Sequence, residues 1–450
     1  MKDAAAPTRW TKLRIIAEQQ AYFTSPHRFN VLPCGRRSGK TELAKRKVVL
    51  RALTPPGEPG GSLFNDPQYF CAAPTRDQAK RIYWEDLKRL IPKKLIRKNG
   101  ISETELRITT VMNSSISVVG LDKPERIEGS PWDGGILDEY ANMKAQAWGA
   151  NVRPALSDRH GWCDLIGVPE GRNHYYTTVE MAKAEMADKG AHSEWGYFHW
   201  FSSLILPPEE IASAKATLDE LTFQQEYEGS FVNFLGRAYY AFTDKNKGSL
   251  RYDPNQAIGF CFDFNVDPGI AVIVQEQALP SERYGTGVIG EVYIPQNSNT
   301  EMVCRRLVED WGTHQGEVRI YGDASGGMRR TSATTGSDWD IVMAILKPVF
   351  GDRLKIRVPR ANPGERGRVN AMNTRCKNAA GDIRLVVDAR KAPKTAADLD
   401  GVRLVEGGSG EIDKHYDKTL THLSDALGYY IFYEFSGGGA VIVTRAYYGG

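Results

Sequence analysis

The sequence predicts an α/β protein of two domains, the first built round a phosphate-binding loop. Three observations carry that reading. Short apolar strands alternate with amphipathic helical patterns through the first half. Residues 34–41, Cys34-Gly35-Arg36-Arg37-Ser38-Gly39-Lys40-Thr41, end in the Gly-Lys-Thr of such a loop. A polar stretch between about 232 and 256 separates this pattern from a second apolar period that opens as a strand hairpin.

Taken in order, Asn30-Val31-Leu32-Pro33 suits a strand before the loop, and residues 42–47 suit the helix after it. One departure from the G-x-x-x-x-G-K-[ST] pattern is visible: Cys34 holds its first position and Gly35 follows. Residues 68–73 form a strand ending at Pro74-Thr75. Residues 77–90 carry Ile82, Leu87 and Leu90 at helical spacing. Residues 105–110 and 115–120 read as a strand pair. Gly134-Gly135-Ile136-Leu137 leads into Asp138-Glu139, and residues 164–168 form a strand stopped by Pro169. The expected domain limits are 1–235, a linker over 236–256, a second domain over 257–436 and a tail over 437–450. The second domain opens with residues 257–262 and 269–274 as two strands of a hairpin.

At 450 residues, with 25% charged and 41% hydrophobic, the chain is globular and long enough for two cores. Residues 1–11 are small and polar and are expected to fray. There is no bilayer-length apolar run and no leader-like start, so a soluble intracellular protein is expected. Net charge is only +3, yet basic residues cluster. One cluster is Arg76, Lys80, Arg81, Lys88, Arg89, Lys93, Lys94, Arg97 and Lys98. The other is Arg353, Lys355, Arg357, Arg360, Arg366 and Arg368. Each suits either a phosphate backbone or a solvated face. The 6 cysteines are scattered without a C-x-x-C pair, which excludes a zinc ribbon and gives no disulfide framework.

The loop specifies its chemistry. Backbone N–H groups of Gly35, Arg36, Arg37, Ser38 and Gly39 would cradle phosphates, Lys40 would neutralise the β/γ oxygens, and Thr41 would hold Mg²⁺. Hydrolysis needs a metal-holding acid and a base. Asp138 and Glu139, adjacent at a strand end, supply both. Arg36 is the favoured arginine finger. Alternatively, Arg36 or Arg37 contacts DNA or a neighbouring subunit.

The second half offers acids at the edges of apolar elements. Asp263 follows the first strand, Asp323 follows the strand over 318–322, and Asp425 lies in a helical pattern over 423–430. Two-metal nucleases need three or four such carboxylates converging. Asp267, in the turn beyond Asp263, and His422, three residues before Asp425, are further candidate ligands. The bland alternative is that these are ordinary strand-end and helix-surface acids.

Together these segments resemble the large terminase subunit of tailed bacteriophages, in order and over nearly the whole chain. Residues 34–41 are similar to its Arg-containing Walker A variant, 72–79 to the segment after the next strand, and 126–139 to the stretch leading into the Walker B acids. Residues 167–176 resemble its coupling motif, with Gly171 and Asn173 as the positions to probe, and 224–232 resemble the exit from its motor domain. Residues 19–23 are placed like an adenine-contacting segment.

The resemblance implies an ASCE-type P-loop ATPase domain followed by a ribonuclease H-like nuclease domain. Its catalytic set would be Arg36, Lys40, Glu139, Asp263, Asp323 and Asp425. Thr41 and Asp138 would hold the ATPase Mg²⁺. Asp263, Asp267, Asp323, His422 and Asp425 would hold the nuclease metals, Mg²⁺ or Mn²⁺. It further implies ATP as fuel and double-stranded DNA, the procapsid portal protein and the small terminase subunit as partners. A homo-oligomeric ring would form on docking, with no membrane. The place of action would be the host cytoplasm and transiently the portal vertex, not the mature virion. Two other readings stay open: a helicase- or transposition-related ATPase with an integrase-like domain, and a non-hydrolysing ATP-gated DNA-binding scaffold.

Overall fold

The structure, a computed structural model, describes residues 15–232, 236–264, 267–324, 337–405, 411–417 and 420–436. The segment expected to fray (1–11) and the expected tail (437–450) lie outside the described residues. The chain forms two compact units. One runs to Ile211 and resumes at Gln224; the other takes Ala212–Phe223 and the chain beyond residue 233.

The first unit is built on an eight-stranded sheet. Its strands are β1 (Phe29–Pro33), β2 (Gln68–Ala73), β3 (Ile96–Ser102), β4 (Arg107–Thr110), β5 (Ser115–Gly120), β6 (Gly134–Asp138), β7 (Trp162–Gly167) and β8 (Trp195–Tyr197). They lie in the order β3-β4-β5-β2-β6-β7-β1-β8. Strand β4 runs antiparallel to β3 and β5, and the remaining pairs are parallel. Parallel strands covered on both faces read as near-continuous apolar runs. Accordingly Val31, Phe70, Leu137 and Leu165 pack into one core cluster, while their neighbours Leu32, Cys71, Ile136 and Ile166 pack into another. The second cluster includes Leu43, Ala44 and Val48 of the helix Lys40–Leu53, which fixes that helix against the sheet.

The second unit carries a six-stranded sheet: β9 (Ile258–Asp263), β10 (Gly269–Ala278), β11 (Tyr284–Ile294), β12 (Val318–Gly322), β13 (Leu354–Ile356) and β14 (Leu385–Val387). The order is β13-β12-β9-β10-β11-β14. The expected hairpin is present as β9 and β10, and β11 extends it into an antiparallel meander. Strand β12 runs parallel to β9. The helices Thr300–Trp311 and Asp338–Phe350 place Val303, Leu307, Val342 and Leu346 in the cluster on one face. The helices Glu365–Cys376, Pro393–Gly401 and His422–Phe435 place Val369, Met372, Leu399 and Leu427 in the cluster on the other.

The stretch 236–256, expected as a linker, is not a spacer in this fold. Ala238, Tyr239 and Phe242 join the second unit's core, and Phe242 is fully buried. Asn246 is buried too, donating from Nδ2 to the carbonyls of Cys376 at 2.8 Å and Leu385 at 2.9 Å. Its Gly and Asp content reflects irregular backbone; burial of its aromatic residues gives it a fixed place. Among the described residues no helix is long and apolar enough to cross a membrane.

Candidate nucleotide site and acid cluster

The loop over residues 34–41 joins the end of β1 to the helix Lys40–Leu53, the strand–loop–helix setting that phosphate binding requires. Cys34 is buried in the core, so the first loop position does not depend on glycine. The next position does: a Cβ on Gly35 would meet Ser202 Oγ and the Tyr227 carbonyl oxygen at 2.5 Å. Gly39 takes φ +83°, a left-handed conformation that only glycine adopts without strain. The Ser38 carbonyl accepts from Gln19 Nε2 at 3.0 Å and Trp200 Nε1 at 2.8 Å. Gln19 therefore buttresses the loop, whereas the resemblance places its segment like an adenine-contacting one. The buried Ser38 hydroxyl has no hydrogen-bond partner among the described residues. A phosphate oxygen would supply one, so the loop suits the group.

Lys40 donates from Nζ to the Gly35 carbonyl at 3.1 Å, folding back over the loop. Thr41 Oγ1 donates to Asp138 Oδ2 at 3.0 Å, which joins the expected Mg²⁺ pair directly. Asp138 ends β6 and is 1% exposed. Its Oδ1 accepts from the Glu139 N–H at 2.9 Å, and its Oδ2 also accepts from the buried Tyr83 hydroxyl at 2.9 Å. Burial raises the Asp138 pKa, against the opposing pull of Lys40 and these hydrogen bonds. Glu139 sits at φ +55°, a strained conformation for a non-glycine residue that turns the chain sharply at the strand end. Burial raises the Glu139 pKa, and the neighbouring Asp138 raises it further. A carboxylate so placed is a stronger base than an exposed one.

Arg36 and Arg37 are both exposed, and Arg37 takes φ +57°. The Arg36 guanidinium pairs with the Glu226 carboxylate, and the Arg36 backbone N–H donates to the Glu226 carbonyl at 2.6 Å. The expected finger is thus held by a side chain from the helix Glu220–Glu228. In the expected coupling segment, Asn173 caps the helix His174–Lys189 by accepting from the Tyr175 N–H at 2.9 Å. Its Nδ2 donates to the Ala141 carbonyl at 2.9 Å, three residues past Asp138. His174 meets the Tyr140 carbonyl at 3.0 Å. Gly171 N–H donates to Gln225 Oε1 at 3.4 Å. The coupling segment thus touches the backbone that carries the acids.

In the second unit, Gly322 of β12 is in register with Phe262 of β9. Asp263 is the last residue of β9, and Asp323 follows directly on the last residue of the neighbouring parallel strand β12. His422 Nδ1 lies 3.3 Å from Asp263 Oδ2. Asp425, one turn on, is 8% exposed and pairs with Arg368 at 3.0 Å. Burial pushes the Asp425 carboxyl up to about 6; Arg368 opposes that shift and Asp263 adds to it. Burial raises the Tyr429 pKa and Arg368 lowers it, while Asp323, Asp263 and Asp425 all raise it. All three expected acids therefore lie within electrostatic reach of Tyr429. Asp323 Oδ1 accepts from Asn362 Nδ2 at 2.6 Å. Asp267 is used otherwise: its Oδ1 accepts from the Ser298 N–H at 3.0 Å and hydroxyl at 3.2 Å. Among the described residues, no group of three or more His, Cys, Asp or Glu is arranged to hold one metal ion. The donor types and their side of the sheet suit a divalent ion, but the spacing is not closed while Arg368 and Asn362 hold Asp425 and Asp323.

Three residues that support the candidate sites escaped the sequence. Tyr83 lies in a π-helical turn, Lys80–Trp84, within the basic helical stretch, and nothing in its spacing marks it. Asp398 is buried and accepts from the N–H groups of Thr421, Leu423 and Ser424 and from the Ser424 hydroxyl. It thereby fixes the start of the helix bearing His422 and Asp425. Arg368, read within a basic surface cluster, is 7% exposed and faces inward.

No protein-family model matches the chain. The terminase large subunit of Thermus phage G20c is 27% identical over 363 residues, covering 74% of this chain and 65% of its own length. That of Thermus virus P23-45 is 27% identical over 242 residues, 48% of each. The chain is thus similar in sequence to phage large terminases. It spans less than two thirds of the length of these curated relatives. Among solved structures, a large terminase from a thermophilic bacteriophage matches with a TM-score of 0.52 at 16% identity, over 93% of this chain and 98% of that one. That likeness covers both units and shows that they share the fold of that chain.

Proposed function

We propose that the chain hydrolyses ATP to drive double-stranded DNA into a procapsid, and that its second unit cuts concatemeric DNA. The observation that carries the reading is Asp138. It ends a central strand, accepts the Thr41 hydroxyl of the phosphate loop, and is followed by the strained, partly buried Glu139. The structurally similar large terminase of the thermophilic bacteriophage has been crystallised with ADP and with ATP-γ-S, which supports a nucleotide in this loop.

In the first unit, the loop N–H groups and Lys40 bind the phosphates, and Thr41 and Asp138 would hold Mg²⁺. Glu139 orients the attacking water and takes its proton, and Arg36 leaves Glu226 to face the γ-phosphate. When bound, Mg²⁺ neutralises charge on the β- and γ-oxygens. Asn173, bonded to Ala141, relays the state of the acid turn to the helix His174–Lys189. In the second unit, Asp263, Asp323 and Asp425, with His422, would hold Mg²⁺ or Mn²⁺, which activates water and stabilises the leaving oxygen. The portal protein, the small terminase subunit and further copies in a ring are the proposed partners, in the host cytoplasm and at the portal vertex.

Two variants test the division of labour. Glu139→Gln is expected to bind ATP yet lose DNA-stimulated phosphate release while still cutting plasmid DNA with Mn²⁺. Asp323→Ala is expected to do the reverse. Undiminished turnover in the first, or undiminished cutting in the second, removes that residue from its role.

A further inference from the structure

We infer that Arg368 is the built-in counter-ion of the Asp263–Asp323–Asp425 cluster and competes with a divalent ion for Asp425. The inference rests on reading that cluster as a metal site. Three carboxylates brought together in a partly buried place repel one another, so something positive must offset them while no metal is bound. Arg368 is placed to do so. It projects from the helix Glu365–Cys376, its Nη1 lies 3.0 Å from Asp425 Oδ1, and it is 7% exposed. Its stem lies against Gly428, within 4.0 Å of where a Cβ would stand, and its guanidinium covers the Tyr429 ring at 4.5 Å. Gly428 and Tyr429 are the next turn of the helix that bears Asp425, so the guanidinium is locked beside that carboxylate.

Two observations distinguish this from a plain structural ion pair. Arg368 Nε is buried without a hydrogen-bond partner among the described residues, and Nη1 meets Asp425 without hydrogen-bond geometry. A structural Arg–carboxylate pair satisfies its fork; this one serves mainly as a charge. Lys414, half-exposed and 3.9 Å from Asp425, adds a weaker, solvent-screened cation. An ion entering the cluster needs an oxygen that Arg368 now holds. Arg368 thereby keeps the acids folded together without metal and lowers their affinity for it.

The test is calorimetric titration of the full-length chain with Mn²⁺ alone. Arg368→Gln is expected to bind about tenfold more tightly than the unaltered chain, since one nearby opposing charge is removed. Arg368→Lys, which keeps the charge, is expected to stay near the unaltered value. Arg368→Met preserves packing on Tyr429 and serves if the glutamine variant does not fold; it should also tighten binding. Equal or weaker binding in a folded glutamine or methionine variant overturns the inference, as does a lysine variant that binds as tightly as the glutamine one. If Asp323→Asn leaves the isotherm of the unaltered chain unchanged, the metal site itself is wrong and both readings fall together.

Discussion

The Tyr83 hydroxyl donates to Asp138 Oδ2 at 2.9 Å, the oxygen that also accepts from the phosphate-loop threonine. Tyr83 comes from the helical stretch whose exposed face carries Arg76, Lys80, Arg81 and Arg89. Its hydroxyl holds the carboxylate in one rotamer before any metal arrives. Tyr83→Phe is expected to raise the Mg²⁺ concentration for half-maximal ATPase by about three- to tenfold, equivalent to one buried hydrogen bond. Turnover at saturating Mg²⁺ and nucleotide affinity without Mg²⁺ should change little. An unaltered Mg²⁺ requirement would mean that Tyr83 only packs.

Asp398 organises the start of the helix His422–Phe435. Substitution by alanine leaves three buried N–H groups and one hydroxyl without their acceptor. The expected cost is about 3 kcal/mol or more in the stability of the second unit. Asp398→Asn keeps one carbonyl acceptor and is expected to recover part of that loss. Thermal denaturation of both variants, read beside Mn²⁺-dependent cutting, checks the assignment; loss of stability with full cutting would confine Asp398 to the fold.

The pairing of Arg36 with Glu226 separates the two loop arginines. Arg36→Ala is expected to lower DNA-stimulated phosphate release by about a thousandfold, the scale of a lost arginine finger. Arg37→Ala should retain most turnover, because Arg36 is the arginine whose guanidinium Glu226 holds and can release toward the γ-phosphate. The reverse result would make Arg37 the finger.

Burial lowers the His174 pKa from 6.5, opposed by its bond to the Tyr140 carbonyl. The folded chain therefore prefers neutral His174, and below about pH 6.5 the unfolded chain binds more protons at this residue. Stability contributed by the neutral ring is present above that pH and is lost as the pH falls. His199 and His314 are shifted in the same direction by burial. The melting temperature is expected to decline between pH 7 and pH 5, and to decline less in His174→Gln. Parallel curves would place the acid sensitivity elsewhere.

The sequence is most legible where local pattern and local chemistry coincide. The phosphate loop, the strand ending in Asp138 and the β9–β10 hairpin are each declared within a short window, and each forms. Residues 77–90 read as one helix, and the structure inserts a π-helical turn at Lys80–Trp84 that periodicity could not foresee. Strands β8 and β14 are three residues long and owe their existence to neighbours far along the chain, Val31 and Val288 among them. The 236–256 stretch misleads because turn residues dominate its composition, while its place is decided by Tyr239 and Phe242 packing against a core formed later in the chain. In the acid cluster, the strand-end position of Asp263 and Asp323 is visible in the sequence. Which cation faces them is not, because a buried arginine and a surface arginine have the same spacing in a helix.

The acids of the second unit come from residues 263, 323 and 425, the last on the final helix described, His422–Phe435. A nascent chain leaving the ribosome holds the complete ATPase fold well before that helix is made. Until the helix docks, two of the acids stand without the third and without the histidine beside them. On the proposed reading of the second unit, order of synthesis alone thus delays phosphodiester chemistry until the rest of the molecule has formed, sparing nearby nucleic acid from an unfinished enzyme.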